Sequence, residues 1–529
     1  MNEPGSQESL VITEAEIGAA AAGPARSNDA SNGHARSGTA PVATGQRGSG
    51  RIADVRIVDG VIREIGVGLV VDPLNDVVVE AQGAALLPGL WDHHLHLPAL
   101  AVAARSLPLG PPRVRSRHEL RHALRLGVPD VDGWLRGIGY HESVAGDLDS
   151  TALDEMRSDV PIRVQHRSGG MWVFNSLALR TLASVADGGP DLHGRLLRND
   201  RWLADALGAL RSTASGSRVL ATDVSQPRVS TTEDVSQENQ QAQSFAALSA
   251  ELSRLGVVGC TEASPGLGLE TAQMLEAAMD QHLVLLSSAH WTDPLEAGVP
   301  PWPGSPSRLG ASKIMVTEDS MPGLDALTAT ISAAHQRQRP VAVHVVSRAA
   351  MALVVAAFVD AGVRPGDRIE HASVTPPALG GQLSELGLIV VTQPNFIAER
   401  GDDYRRDVDA EDQPWLYRLQ GHLQAGITLA GGTDAPFGDA DPWAAMASAV
   451  SRRTATGHAM GTDEALTPEA ALALFTGDPL ALESGPRHVA VGAMGDLCLI
   501  DRPWRDARAD LSEVTVRATI VSGCPIYAS

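Results

Sequence analysis

Apolar and polar positions alternate first near the start of the chain. Residues 9–16 (SLVITEAE) read as a short strand. Residues 51–66 (RIADVRIVDGVIREIG) alternate on both sides of Asp59-Gly60, which predicts a hairpin with a tight turn at Asp-Gly. Residues 76–87 (DVVVEAQGAALL) add a further strand or two. The far end repeats the pattern: 488–501 (HVAVGAMGDLCLID) and 515–522 (TVRATIVS) are strand-like around glycine turns. Strands at both ends of one chain can pair into a single sheet domain, with the body of the chain between them.

That body, about 90–483, has a different rhythm. Short apolar runs suited to buried strands occur at 257–263, 283–289, 312–318, 341–346, 368–374, 388–395 and 427–436. Amphipathic runs such as 324–338 and 348–361 lie between them and read as helices. Repeated strand–helix alternation predicts a parallel α/β architecture, either a closed barrel or an open sheet. With the stretch Leu86–Leu97 (LLPGLWDHHLHL) the strands number eight, as a barrel requires. Residues 105–245 do not follow the alternation. They hold an Arg/His-rich patch (113–125), Trp134, Trp202, the run RVQHRSGGMWVFNSLALR (163–180) and a polar segment. We read them as an insertion after the first strand, packing over the strand ends. The low-complexity tract 17–50 and the Ser/Thr/Gln-rich segment 213–240 are expected to be flexible, having few large apolar side chains to offset the entropy of ordering.

Composition narrows the functional classes. The 529 residues exceed a typical single core, so a large domain with smaller attached units is expected. Lys plus Arg number 42 against 63 Asp plus Glu, a net charge of −21, which disfavours binding to a phosphate backbone. The three cysteines, Cys260, Cys498 and Cys524, are far apart, as in a reducing compartment rather than a disulfide framework. The N-terminus has no signal-peptide pattern and no apolar run is long enough to span a bilayer. The expectation is a cytoplasmic protein with no nucleic-acid or membrane partner.

Chemistry enters at Leu86–Leu97. Residues i and i+2 of a strand share a face, so His94 and His96 project together and Leu95 points away. Two adjacent imidazoles make half of a divalent-metal site. Four further residues lie on or at the ends of other strand candidates: Lys313 in SKIMV, His344 in VAVHVV, His371 in RIEH and Asp434 in TLAGGTD. Functional groups of an α/β barrel gather at the C-terminal strand ends. If these six converge, nitrogen and oxygen donors meet beside a base. Each residue also has an ordinary structural explanation. A lone histidine in an apolar strand is more often a hydrogen-bonded core residue, an aspartate before Ala-Pro is often a turn or cap, and Lys313 could pair with Glu318 or Asp319 on the surface. His93 faces away from the pair and is the least favoured of the three histidines.

Taken in order, the pieces PGLWDHHLH (88–96), SKIMV (312–316), VAVHVVS (341–347), RIEHAS (368–373), VTQPN (391–395) and GGTDAPFGDADPW (431–443) resemble the amidohydrolase superfamily. Within it they are most similar to the amidohydrolase-3 group of N-substituted formamide deformylase-like enzymes. LTPEAALALFT (466–476) and GAMGDLCLID (492–501) extend the resemblance toward the C-terminus. The resemblance implies a metal-dependent (β/α)8 TIM-type barrel over 88–483, with the 105–245 insertion. It also implies a flanking β-sandwich built from 1–87 and 484–529.

Carried over by position, His94, His96 and Asp434 would bind a buried metal. Lys313 would match a lysine that can be carboxylated to bridge two ions, and His344 and His371 would bind a second ion or orient substrate. Zinc, as one or two ions, is the expected cofactor. Asp434 is the expected general base and acid in hydrolysis of a non-peptide C–N bond, amide or formamide, in a small molecule. The same site could serve a C–O hydrolase, a deaminase or an isomerase, and a non-catalytic small-molecule binding barrel is a third reading. A homo-oligomer is compatible with the sequence. Two departures from the family pattern bear on substrate. Gly169 is followed by Gly170 where a Gly-His pair is common, although Asn175-Ser176 are kept, and Lys313 leads into Val-Thr-Glu-Asp-Ser (316–320) instead of an Asp-Gly-Ser-like stretch.

Overall fold

A computed structural model of the protein describes residues 9–18, 50–197, 200–214, 232–286 and 297–529. The chain divides into two compact units, one of residues 1–97 with 242–529 and one of residues 98–241.

In the first unit, nine short strands form two parallel sheets. One runs in the order Arg308–Leu309, His282–Leu285, Val257–Glu262, Leu90–Leu95. The other runs Ser312–Met315, Val341–Val345, Arg368–His371, Ile389–Thr392, Leu429–Gly431. Gly310 and Ala311 carry the chain from the first sheet to the second: Gly310 N donates to Leu285 O and Ser312 N to Pro340 O. At the other edge the Asp434 amide donates to His94 O and the His96 amide to Ala435 O, each at 2.8 Å. Most of these strands are buried on both faces, as parallel strands covered by helices are. The helices Leu324–Gln336, Arg348–Ala361 and Pro377–Leu386 supply one cover. Leu327, Ile331, Val354, Phe358 and Leu383 pack on Val343, Ile369 and Val390. Helix Arg348–Ala361 starts where Ser347 accepts a bond from the Ala350 amide.

The chain ends contribute two four-stranded sheets. One is ordered Val61–Gly66, Arg51–Val58, Ser9–Ile17, Asp76–Glu80, and the other Cys524–Ala528, Val516–Val521, Leu497–Ile500, Leu86–Pro88. One apolar cluster draws on both: Ile12, Val55 and Ile57 from the first, Leu497, Leu499 and Ile520 from the second. The hairpin predicted at Asp59-Gly60 is present, with φ of 52° and 74° at its two central residues, as a twist-matched tight turn requires.

The second unit is built on a five-stranded sheet ordered Arg195–Leu197, Met171–Phe174, Ile162–His166, Leu135–Tyr140, Leu107–Pro108. Its last three strands are parallel. Asn175, one of the family-like residues, has a structural task here. Its side chain caps helix Ser176–Ala183 at the Ala178 amide, accepts from the Ile162 amide and donates to Val160 O.

Of the tract expected to be flexible at 17–50, Ile17 ends a strand and Gly18 and Gly50 are described, while 19–49 lie outside the described residues. The expectation for 213–240 is corrected at both ends, which belong to the helices Asp200–Ala214 and Thr232–Arg254; 215–231 lie outside the described residues. The apolar run 283–289 is a strand as far as Leu285, and 287–289 again lie outside. Among the described residues no helix is long and apolar enough to cross a membrane. All three cysteines are free, Cys260 and Cys498 buried and Cys524 exposed.

Candidate functional site

Strand Leu90–Leu95 runs into the first unit with every residue buried. Its polar anchor is Asp92. Asp92 binds the Thr433 hydroxyl and amide and the His94 amide, so it stitches the first strand to the last. Burial raises the Asp92 carboxyl to about 7 against these bonds, which lower it. His94 and His96 emerge beyond this anchor with ring centroids 5.4 Å apart. The last strand can approach because residue 432 is glycine: a Cβ there would lie 2.6 Å from the His94 backbone nitrogen.

Around the pair the structure gathers the other four sequence-predicted residues. Asp434 Oδ1 lies 3.2 Å from His96 Nε2 and 3.7 Å from His94 Nε2. One ligand atom from each of these three residues lies within 4.8 Å of the others. The Lys313 ammonium nitrogen is 3.5 Å from His94 Nε2. His371 Nδ1 is 4.0 Å from Asp434 Oδ2, and its ring centroid is 4.8 Å from that of His94. The His344 ring packs edge-on to His371 at 4.5 Å. Lys313 is buried, so a surface pair with Glu318 or Asp319 is excluded. His371 ends its strand and does not begin a helix. His371, Ala372 and Asp434 have φ of 71°, 48° and 56°, so two of the gathered side chains are aimed by backbone that non-glycine residues seldom adopt.

The hydrogen bonds decide which nitrogen each imidazole presents. His94 Nδ1 is held by the Glu370 carboxylate, His96 Nδ1 by Ser264 Oγ at 3.2 Å and His371 Nδ1 by Gln393 Oε1 at 2.8 Å. A proton on Nδ1, donated to each oxygen, leaves a lone pair on Nε2. Burial, with the Lys313 charge next for His94 and the His344 charge next for His371, pushes both imidazoles well below the usual histidine range, so they are neutral at pH 7. Burial also lowers the Lys313 amine. Glu370 is in turn paired with Arg368 at 2.6 Å, both side chains buried. Glu262, whose carboxyl is raised by burial, accepts bonds from the Ser264 and Leu97 amides and so fixes the loop carrying Ser264.

Sequence reasoning missed Glu370, Gln393, Ser264 and Glu262. Glu370 had a signal. Arg368 and Glu370 stand two apart in a four-residue strand, a charged pair on one face of a buried element. His93, by contrast, is fully buried away from this group and stacks on Trp91 at 6.5 Å.

The model of the Amidohydrolase family matches residues 77–527. An N-substituted formamide deformylase of Arthrobacter pascens is 28% identical over 165 residues, 30% of this chain and 30% of that protein. The putative amidohydrolase YtcJ of Bacillus subtilis (strain 168) is 25% identical over 248 residues, 43% of each. The matched part therefore spans less than half the length of these two relatives. An uncharacterized metal-dependent hydrolase from Pyrococcus horikoshii OT3 shares the fold, with a TM-score of 0.65 at 17% identity over 94% of this chain and 98% of that one. The atrazine chlorohydrolase TrzN from Arthrobacter aurescens TC1, complexed with zinc, matches at a TM-score of 0.51 and 10% identity over 98% and 95% of the two chains. These two solved structures share the α/β fold of the chain, and the match of the family model over residues 77–527 shows that the chain belongs to the Amidohydrolase family.

Proposed function

We propose that this protein is a metal-dependent hydrolase that cleaves a non-peptide C–N bond, amide or formamide, in a small molecule. The fold reading behind it is a closed (β/α)8 barrel over 88–483, with the terminal sheets as a sandwich from 1–87 and 484–529. It is supported by the short crossing at Gly310-Ala311 and by the bonds from the Asp434 amide to His94 O and from the His96 amide to Ala435 O. The observation that carries the functional reading is the Asp434 carboxylate. Its Oδ1 is buried without a hydrogen-bond partner among the described residues, while the His96 and His94 Nε2 atoms stand 3.2 and 3.7 Å away. An unpaired buried oxygen is costly, and a cation between these three atoms would remove the cost. The donor set therefore fits a divalent ion, and imidazole nitrogen with carboxylate oxygen suits zinc.

His94, His96 and Asp434 would hold one ion. Lys313, His371 and His344 would serve a second, with Lys313 adding CO2 through its lone pair and releasing a proton to become a carbamate anion. A divalent cation held there supplies Lewis acidity, bringing the pKa of a bound water toward about 7 and polarising a carbonyl. The chain's own residues do the rest. The Asp434 carboxylate takes the proton of the attacking water and returns it to the leaving nitrogen, so the amine departs neutral. Glu370, Ser264 and Gln393 keep the Nε2 lone pairs aimed at the centre.

Metal content and activity, measured before and after dialysis against a chelator, test the reading. The panel is N-formyl amines, N-acyl amino acids, esters and lactones. Activity on the amides or formamides that falls with the metal and returns with zinc supports it. Full activity in the stripped protein overturns it, and turnover of esters alone would move the reading to C–O hydrolysis.

A further inference from the structure

Helix Asn395–Asp407 begins after Gln393 and Pro394, at the carboxyl end of strand Ile389–Thr392. Phe396, Arg400 and Tyr404 stand four apart and so share one face of it. Phe396 and Tyr404 pack into an apolar cluster with Tyr417 and Phe437. An arginine, partly exposed, is thus set between two aromatic residues on a face that packs inward. A charge in such a place is costly unless it is paired.

The partners of Arg400 are few. Its guanidinium lies over the Phe396 ring, 4.0 Å from the centroid, and Nη2 donates to Phe437 O. Burial lowers its pKa, and Tyr404, Tyr417, Asp434 and Glu399 outweigh that effect, so two carboxylates are near enough for their charge to be felt. Both are engaged elsewhere. Asp434 is turned to His96 and His94 at 3.2 and 3.7 Å, and Glu399 accepts from the Asn395 side chain at 3.0 Å and the Asp439 amide at 3.1 Å. Among the described residues no acidic side chain is ion-paired with Arg400. A chain of hydroxyls leads to the same face: Ser373 Oγ donates to Tyr417 Oη at 3.1 Å, and Tyr417 Oη is 3.2 Å from Tyr404 Oη. With Tyr417 donating onward, the Tyr404 O–H is left to donate to a ligand.

The metal-ligand group is one small molecule away. The Phe437 amide donates to Asp434 O at 2.8 Å, closing a turn whose ends stand within about 7 Å of each other. The Phe437 ring is edge-on to His96 at 5.3 Å. Arg400 is bonded to one end of this turn, and Asp434 forms the other.

We propose that Arg400 binds a carboxylate on the substrate, which makes the substrate an N-formyl or N-acyl amino acid or a similar amide bearing an acid group. This rests on the hydrolase reading above and names the substrate class of that site. The planar guanidinium fork matches a carboxylate through two N–H bonds, and Tyr404 adds a third. One fork beside two acidic residues suits the single charge of a carboxylate, where a phosphate brings nearly two. Addition of one water across the C–N bond gives a carboxylic acid and a free amino acid, whose own carboxylate is the group Arg400 holds.

Matched substrate pairs on the zinc-loaded, full-length protein decide the matter. Each pair is a racemic N-formyl amino acid and the N-formyl amine that lacks only its carboxylate, with the side chains of leucine, methionine and phenylalanine. In wild type kcat/KM is expected to favour the acid by about 10–100-fold, chiefly through KM. In Arg400→Gln that ratio falls to about one, and Arg400→Lys, which keeps the charge but not the fork, lies between. Circular dichroism confirms folding, and Arg400→Lys serves if Arg400→Gln is not folded. A ratio near one in wild type, or an unchanged ratio in the folded variants, overturns the proposal. If no member of any pair is hydrolysed, the amide reaction is the part at fault, and calorimetry of the same pairs decides the binding. Tighter binding of the acid in wild type that the variants lose supports Arg400 as the carboxylate site, and equal affinities overturn it.

Discussion

The two groups of side chains at His94/His96/Asp434 and at His141/Glu142/His166 use one device in two settings. Each stands at the carboxyl ends of parallel strands and turns histidine Nε2 atoms toward a carboxylate, but the Ser143 and Ser168 amides donate to Nδ1 of His141 and His166, so there Nε2 carries the proton. They differ in how the carboxylate is buried and how far apart the residues lie in sequence. The first group joins His94 to residues hundreds of positions away, and its Asp434 side chain is 9% exposed. The second spans only 26 residues, from 141 to 166, and its Glu142 side chain is 42% exposed. A buried carboxylate without a partner is expensive and can be kept only for a task. An exposed one is solvated at no such cost, so the second group can stand as a hydrogen-bonded cluster without destabilising the fold. The comparison separates a centre that the whole first unit must assemble from one that two neighbouring strand ends make locally.

The change that strikes hardest at the first group is Asp434→Asn. The amide keeps the shape and one acceptor but cannot take a proton. Hydrolysis is expected to fall by about 10²–10⁴-fold, the contribution of a positioned general acid–base group. Steady-state rates on the amide substrate measure it. A variant within threefold of wild type would remove Asp434 from proton transfer and leave it as a ligand candidate alone.

Next in size is Glu370→Gln. Glu370 holds His94 Nδ1 with one oxygen and Arg368 with the other, at 0% side-chain exposure. Losing the charge strands the buried Arg368 guanidinium, and breaking such a pair costs about 3 kcal/mol or more. The second group has no buried counterpart, so its Ser168→Ala change should leave the melting temperature almost unmoved. Urea unfolding of the metal-stripped variants tests both, and equal stability of Glu370→Gln and wild type would contradict the role given to the pair.

These residues also mark how far the sequence could be read. Period-two and buried runs are local signals, so the hairpin at Asp59-Gly60 and the strands carrying His94, Lys313, His344 and His371 could be placed from the residues alone. The ordered spacing of His94, His96, Lys313, His344, His371 and Asp434 over separate strands suggested convergence, and the structure brings their side chains together. What escaped is the set that aims them. Glu370 meets His94 across 276 positions and Gln393 meets His371 across 22, and no local pattern announces a partner on another strand. Asp92 stands beside the two histidines, yet its oxygens go to Thr433 and the His94 amide. The His141/Glu142/His166 group passed unseen because its two halves lie on strands inside the stretch that breaks the strand–helix rhythm.

Burial without a partner can be probed at a third place, His422. His422 is buried with neither ring nitrogen hydrogen-bonded among the described residues, and burial, reinforced by Arg418, lowers its pKa from 6.5 to about 4. The unfolded chain binds this proton near pH 6.5 and the folded chain only near pH 4. The unfolded state therefore holds more protons between those values, and stability falls as pH drops from 6.5 toward 4. The loss is on the order of 3 kcal/mol, complete below pH 4 and absent above 6.5. His422→Leu should flatten that part of the curve of unfolding free energy against pH. If the slope between pH 6.5 and 4 is the same in both proteins, the cost of an unpartnered imidazole has been misjudged here.

The smallest effect is expected at Ser264, the counterpart of Ser168. His96 Nδ1 lies 3.2 Å from Ser264 Oγ, a longer bond than the 2.7 Å between His166 and Ser168. The His96 ring has other supports: its amide donates to Ala435 O, and its ring stands edge-on to Phe437 at 5.3 Å. Removing one bond of several should disturb the lone-pair direction little, so Ser264→Ala is expected to weaken metal binding at the first group by about tenfold, the low end for a residue behind a ligand. Competition with a chelator of known affinity measures it. If the loss reached a hundredfold, Ser264 alone would be setting the His96 tautomer.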